Sequence, residues 1–259
     1  MARDAETLDM TEVTKTPERT TVVERLDCEN SQDALQVFLH QQRYDFTLGR
    51  IDPQDAVLEI GTGSGVFSTI LARHCLSYTG LEFDTEACDL TRARLNGRGT
   101  LVQGDAQALP FASESCSAAV CLEVLEHLPD YRKAVREIHR CLRPEGRAII
   151  SVPYRKHGGR NPLNPFHLYE PGEAELIEVF RQFFGKVDVW YQYFEETPVM
   201  TAARILRLRR VLGLASVYRS LAFGDPSALK SVKIGNRGKG MNFTLLLVAS
   251  DRKPASVTT

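Results

Sequence analysis

The sequence predicts an α/β fold, doubly wound, in which a mostly parallel sheet of seven strands carries helices on both faces. Three observations support it. Short apolar runs alternate with segments of helical period from residue 56 to residue 152, the pattern of a parallel sheet covered on both sides. The first run enters Gly-Thr-Gly-Ser-Gly at 61–65 and a helix follows at once. The chain has 259 residues, 43% hydrophobic and 25% charged, which suffices for a buried core without staples.

Residues 1–29 lack apolar periodicity, and residues 1–33 hold nine acids against four bases, so an acidic, disordered tail is expected there. Order is expected from Asn30–Ser31, an N-cap pair, with Leu35, Phe38, Leu39 and Phe46 at helical spacing and Gln42 as the polar exception. Asp52-Pro53 ends that segment. AVLEI (56–60) reads as a strand, 61–65 as a turn, 66–76 as a helix and 78–83 as a second strand. Thr85 to Asn96 reads as a helix stopped by Gly97. Strands follow at 100–104 and 117–122, then a helix capped by Asp130 and a fifth strand at 146–152.

Beyond the fifth strand the rhythm changes. Residues 154–171 form a long loop rich in Gly, Pro and Asn. Pro171 opens a helix that Gly185 closes, and 186–194 and 241–250 read as the last two strands. The expected domain is 30–250, with a basic helical insert at 195–240 and a polar tail at 251–259. Between Arg204 and Lys239 the insert carries nine bases against one acid, Asp225.

Composition excludes several classes. A formal net charge of −1 gives no global field toward nucleic acid or an anionic surface. No apolar run approaches the roughly 18 residues of a membrane span. The polar, acidic N-terminus does not resemble a signal peptide. The six cysteines form no C-x-x-C pair and no Cys/His set has zinc spacing, so a reduced, cytoplasmic chain without a bound metal is expected.

The glycine turn is the strongest signal. Gly61 permits the tight turn, and Gly63, lacking Cβ, lets a ligand approach the backbone. The pattern is G-x-G-x-G with Val66 next, not the G-x-G-x-x-G of a pyrophosphate site. The second strand ends in Leu-Glu-Phe-Asp, which places Glu82 21 residues after Gly61, where an acid can accept hydrogen bonds from ribose hydroxyls. A nucleoside without a diphosphate is therefore favoured, and a dehydrogenase is a poor reading.

VLEIGTGSG, GLEFD, GDAQALPF, CLEVLEHL and LRPEGRAIISVP, in that order, resemble the class I S-adenosylmethionine-dependent methyltransferases, of the type 11 kind, over about residues 44–194. The resemblance implies a Rossmann-like fold whose last strand lies antiparallel between the fifth and sixth, and S-adenosylmethionine as cofactor. Glu59 and the loop Gly61, Thr62, Gly63 and Gly65 would lie beside the methionine part. Glu82, followed by Phe83, would bind both ribose hydroxyls. Asp105 and Ala106 would face the adenine, and Leu122 and Glu123 the sulfonium. Tyr44, in the first helix, is either a cofactor contact or a packing residue. HQQRYDF and NPLNPFHLYEPGEAEL resemble a bacterial subgroup associated with glycan and polysaccharide biosynthesis, bordering the ubiquinone and menaquinone type.

Methyl transfer needs an acceptor held in line, and a hydroxyl acceptor also needs its proton removed. His127 and His167 follow the fourth and fifth strands, whose ends face the ligand crevice of an open α/β sheet. Either is a candidate base, or else a turn or loop anchor. The acceptor is expected to be a small molecule or a glycan-linked group, methylated at oxygen. The alternatives are a quinone or lipid acceptor at a membrane surface reached through residues 201–222, where apolar residues interleave with arginines, and a non-catalytic binding protein. No motif supports nucleic acid as partner.

Overall fold

A computed structural model of the chain describes residues 34–195, 232–236 and 240–254. The order of elements is α1 (Ala34–Leu48), β1 (Ala56–Ile60), α2 (Ser68–His74), β2 (Ser77–Glu82), α3 (Thr85–Leu95), β3 (Thr100–Gln103) and β4 (Cys116–Leu122). A single 3₁₀ turn at Leu125–His127 leads into α4 (Tyr131–Cys141), β5 (Leu142–Pro153), α5 (Glu173–Phe183), β6 (Phe184–Glu195), β7 (Val232–Gly235) and β8 (Gly240–Arg252).

Side chains alternate across a strand, so each central strand feeds two apolar layers. In β4, Ala119 and Cys121 join one cluster, while Ala118, Val120 and Leu122 join the other. In β8, Leu245 and Leu247 face the first layer, Leu246 and Val248 the second. The first layer is closed by α4 and α5 through Ala134, Ile138, Leu176 and Phe180. The second is closed by α1, α2 and α3 through Tyr44, Phe46, Leu71 and Leu95. That is the doubly wound arrangement predicted.

The sheet runs β3-β2-β1-β4-β5-β8-β6-β7. Pairs among β3, β2, β1, β4 and β5 are parallel, and β8 is antiparallel to both β5 and β6. The strand order reverses between β1 and β4, so the carboxyl ends of those strands open the crevice where doubly wound sheets bind ligands.

The sheet has eight strands where seven were predicted. The extra one, β7, comes from the stretch predicted as a helical insert. It pairs antiparallel with the outer edge of β6, with Phe194 opposite Val232. Val232 is buried and Lys233 exposed, the alternation of a half-covered strand hidden in a basic stretch. The acidic tail 1–29 and the 201–222 stretch lie outside the described residues.

Several boundaries move for identifiable reasons. Helix α2 begins at Ser68 rather than Val66, because Gly65-Val66-Phe67 still belongs to the turn. Strand β5 begins at Leu142, which pairs with Cys116 across a register shift, rather than at Gly146. Strand β8 runs through Arg252, opposite Phe184. Lys253 is then tied down as well: its carbonyl lies 2.8 Å from His139 Nε2, and its N–H donates to the Phe183 carbonyl at 2.8 Å.

The polar residues on the inner face of α1 dock it to the sheet edge. Gln42 donates to the Val232 carbonyl at 3.3 Å and accepts from Gln192 Nε2 at 2.9 Å. Arg43, 2% exposed, donates to Gln192 Oε1 at 3.0 Å and to Thr244 Oγ1 at 3.3 Å. The helix therefore closes one wall of the crevice.

Candidate functional site

The glycine turn carries β1 past the end of β2. The Gly61 and Thr62 N–H groups donate to the Leu81 carbonyl at 2.8 and 3.3 Å. Gly61 has φ +77°, and a Cβ there would lie 2.4 Å from Val124 Cγ2, so the turn admits no side chain. At Gly63, φ +55°, a Cβ would meet nothing within 4 Å, so the bare side of the loop faces open space. That space is a cleft of about 790 Å³ between the loop, α1 and the segments after β4 and β5.

Of the predicted cofactor residues, Tyr44, Gly61, Thr62, Gly63, Gly65, Leu122 and Glu123 line this cleft. Glu59, Glu82, Phe83, Asp105 and Ala106 do not. Glu59 lies beneath the loop, 1% exposed. Its Oε1 accepts from the Tyr44 hydroxyl at 2.5 Å and its Oε2 accepts from Tyr78. Burial raises the Glu59 carboxyl above its ordinary range, against the pull of the two hydroxyls. Tyr44 also stacks on Phe67, ring centroids 4.9 Å apart, so Glu59 reaches the cleft wall only through a tyrosine.

Glu82 stands at the end of β2, 9% exposed. Its Oε2 accepts from Gly63 N–H at 2.8 Å, and its Oε1 accepts from the N–H groups of Phe83 and Asp84 at 2.8 and 3.0 Å. A carboxylate offers about four lone-pair sites, so acceptor capacity remains after three are used. Asp105 accepts from the Gln107 N–H at 2.8 Å and from its side-chain amide at 3.2 Å, capping its own turn. Ala106 packs in the core and Phe83 is 73% exposed.

The opposite wall gathers residues distant in sequence. His127, in the 3₁₀ turn after β4, and His167, in the loop after β5, meet edge to face with ring centroids 4.8 Å apart. His127 Nδ1 lies 3.1 Å from the Phe166 carbonyl and His167 Nδ1 lies 2.5 Å from Glu170 Oε1. Both partners are acceptors, so in the neutral rings the proton sits on Nδ1 and the lone pair on Nε2. Glu170, 2% exposed, also accepts from Arg155 and from Asn161 Nδ2 at 2.8 Å. Burial alone would raise its carboxyl, but the hydrogen bonds from Arg155, His167 and Asn161 outweigh burial and hold it below the ordinary range.

Two acids flank the pair. Glu123 has φ +55°, a strained value for a residue with a side chain. Ser151 fixes it, donating from Oγ to Glu123 Oε1 at 2.7 Å and accepting the Glu123 N–H on its carbonyl at 3.0 Å. Glu126 lines the cleft with 0% exposure, and neither of its carboxylate oxygens has a hydrogen-bond partner among the described residues. Burial, then the Glu123 charge, pushes its carboxyl well up. One ring nitrogen from each of His127 and His167 and one carboxylate oxygen of Glu126 lie within 4.8 Å of one another. A scan of Cys/His spacing misses this set, because His167 stands 40 residues from His127 and the third member is a glutamate.

His40, Arg43, Glu126, Arg155 and Glu170 also line the cleft and were not singled out from sequence. Burial and the Arg43 charge lower His40 to about 3, so it is neutral and its Nδ1 accepts from Arg43 at 2.6 Å. One signal was available: Arg43 stands among the apolar residues of α1, where a charge must have buried partners. Among the described residues no helix is long and apolar enough to cross a membrane.

Residues 58–150 match a family described as a methyltransferase domain. A protein of Mycolicibacterium smegmatis named a probable S-adenosylmethionine-dependent methyltransferase is 36% identical over 126 residues, 48% of this chain and 49% of that protein. A ubiquinone biosynthesis O-methyltransferase of Xanthomonas oryzae pv. oryzae is 33% identical over 121 residues, 44% of this chain and 50% of that protein. The chain thus spans about half the length of the curated relatives it matches. A solved S-adenosylmethionine-dependent methyltransferase of Thermotoga maritima shares the fold, with TM-score 0.57 and 18% identity over 84% of this chain and 91% of that one. Residues 58–150 are thus similar to methyltransferase domains, and the chain shares the Rossmann-like fold of solved S-adenosylmethionine-dependent methyltransferases, a likeness that implies S-adenosylmethionine as cofactor.

Proposed function

We propose that this chain methylates a small-molecule or glycan-linked acceptor at oxygen, with S-adenosylmethionine as donor. The observation that carries this is one cleft whose first wall is the bare Gly63 backbone and whose second is the His127–His167 pair. The residues fit the cofactor. Gly63 leaves room where a Cβ would intrude, and Glu82 keeps acceptor capacity for hydroxyls beside it. Within the proposed site, Gly61, Thr62, Gly63, Gly65, Tyr44, Leu122 and Glu123 form the wall. Glu82 and Phe83 supply the ribose end, Asp105 and Ala106 the adenine end, and Glu59 positions Tyr44.

When bound, the cofactor supplies an electrophilic methyl group on a sulfonium whose departure needs no proton. The protein's part is to hold the acceptor in line, an effect that can supply roughly 7–11 kcal/mol of the barrier. It must also take the acceptor's proton. The Nε2 lone pairs of His127 and His167 are the candidate bases, and the bond between His167 Nδ1 and Glu170 orients that ring.

A quinone or lipid acceptor is the second reading. It is favoured by the apolar side chains on the loop beside the cleft: Leu163 is 92% exposed, Leu168 42% and Phe166 36%. It also accords with the ubiquinone biosynthesis named for the Xanthomonas relative. The proposed membrane contact through 201–222 lies outside the described residues; failure to sediment with liposomes would count against it. The first test of the main reading is calorimetric titration of the full chain with S-adenosylmethionine and, separately, NADH. Micromolar binding of the former alone supports the reading, and its absence overturns it.

A further inference from the structure

We infer that Glu126, His127 and His167 form a binding site for a first-row divalent cation on the wall of the cleft. The first observation is geometric: one potential ligand atom from each of the three lies within 4.8 Å of the other two, so a small side-chain closure brings all three within the roughly 2.1 Å bond length of a single ion. The second is independent of the first. Glu126 is fully buried and faces the cleft, yet neither carboxylate oxygen has a hydrogen-bond partner among the described residues. Buried polar groups are otherwise hydrogen-bonded, and a buried carboxylate is paired or bound to metal.

The third observation concerns the rings. Metal-binding histidines characteristically donate their other ring nitrogen to a carboxylate or a backbone carbonyl, which fixes the tautomer and raises ligand basicity. Here His167 Nδ1 is paired with Glu170 and His127 Nδ1 with the Phe166 carbonyl. Arg155 and Asn161 fix Glu170 in turn, so the orienting layer is complete.

Two imidazoles and one carboxylate suit zinc, manganese, iron or cobalt rather than magnesium or calcium, which prefer oxygen-only sets. Three protein ligands leave coordination positions open to the cleft. The role of the ion, holding an acceptor oxygen, rests on the proposed methyl transfer, but its binding does not. With the ion in place the ring lone pairs belong to it, and the histidines position the acceptor through the metal instead of serving as bases.

The test is a cobalt(II) titration of the full chain after chelator treatment, followed by its visible d–d absorption. Saturation at one equivalent, reversed by zinc, is expected. Glu126→Gln, His127→Gln and His167→Gln should each weaken cobalt binding more than about tenfold, the least that loss of even an orienting partner costs a metal site. Unchanged thermal midpoints of the metal-free variants would show that they fold; any variant that does not is set aside for the other two. No saturable spectrum in the wild type, or equal affinity in the folded variants, overturns the inference. Calorimetry with S-adenosylmethionine on the same metal-free sample separates the two proposals. Cofactor binding without cobalt binding overturns only the cation site, and cobalt binding without cofactor binding overturns only the methyl-transfer reading.

Discussion

The two walls of the cleft are built by opposite means. Beside and beneath the glycine loop both carboxyl groups are engaged: Glu82 holds three backbone N–H groups and Glu59 holds two tyrosine hydroxyls. On the histidine wall Glu170 is engaged, but Glu126 is buried with no hydrogen-bond partner among the described residues. The first wall is a cradle whose carboxyl groups are held by the protein's own donors. The second keeps a cost in place, as expected where charge or protons are to be handled.

The sharpest way to break this contrast is on the second wall. In the metal-free protein, His167→Ala should lower turnover by about 10²–10⁴-fold, the typical contribution of a positioned proton acceptor, with little change in cofactor affinity. Turnover within a few-fold of wild type would reduce His167 to a loop anchor. The matching change on the first wall is Glu82→Ala. Hydrogen bonds to a charged group contribute about 1.5–3 kcal/mol each, so loss of even one to the cofactor predicts roughly 10–150-fold weaker binding of S-adenosylmethionine. Equal affinity by calorimetry would remove Glu82 from the site.

A smaller effect tests how rigid the cradle is. Gly61→Ala places a Cβ 2.4 Å from Val124 Cγ2 at φ +77°, so two penalties act together. A destabilisation of about 1–3 kcal/mol is expected from backbone strain alone. Adding Val124→Ala should restore only the steric part, and full recovery in denaturant unfolding would show that φ is not limiting.

The same contrast explains what could be read from sequence. Strand β1, the glycine turn and Glu82 are local: a short apolar run, a missing Cβ and an acid at the next strand end each state their role within a few residues. The antiparallel position of β8 and the histidine pair require knowledge of strand order, which periodicity does not contain. Glu170 and Glu126 were invisible for a further reason. A glutamate in a loop and one in a turn read as solvated, and only burial distinguishes them. Strand β7 was lost because Val232 and Ile234 alternate with a lysine inside a run of basic residues, where charge hides a two-residue period.

The smallest predicted effects are two titrations of opposite sign, in carboxyl groups that brace the loop after Asp105 and the glycine turn. Glu137 accepts both arms of Arg140, at 2.9 and 2.7 Å, and the Leu109 N–H at 2.9 Å. Arg140 also donates to the carbonyls of Leu109 and Phe111 at 2.9 and 2.7 Å, so the pair pins the loop that follows Asp105. The Arg140 hydrogen bond holds the Glu137 carboxyl below its ordinary range. Its stabilisation is therefore present above the unfolded value of about 4.3 and is lost as pH falls through the lower folded value. Glu59 is raised instead, chiefly by burial. The native state there binds its proton more tightly than the unfolded chain, so stability falls as pH rises from about 4.3 through the folded value. Glu137→Gln should accordingly cost more stability at pH 7 than at acid pH, and Glu59→Gln the reverse. Unfolding curves across pH would measure both slopes. Slopes of the same sign would mean that the tyrosine pair, like the arginine, stabilises the ionised carboxylate, and that the two braces are alike.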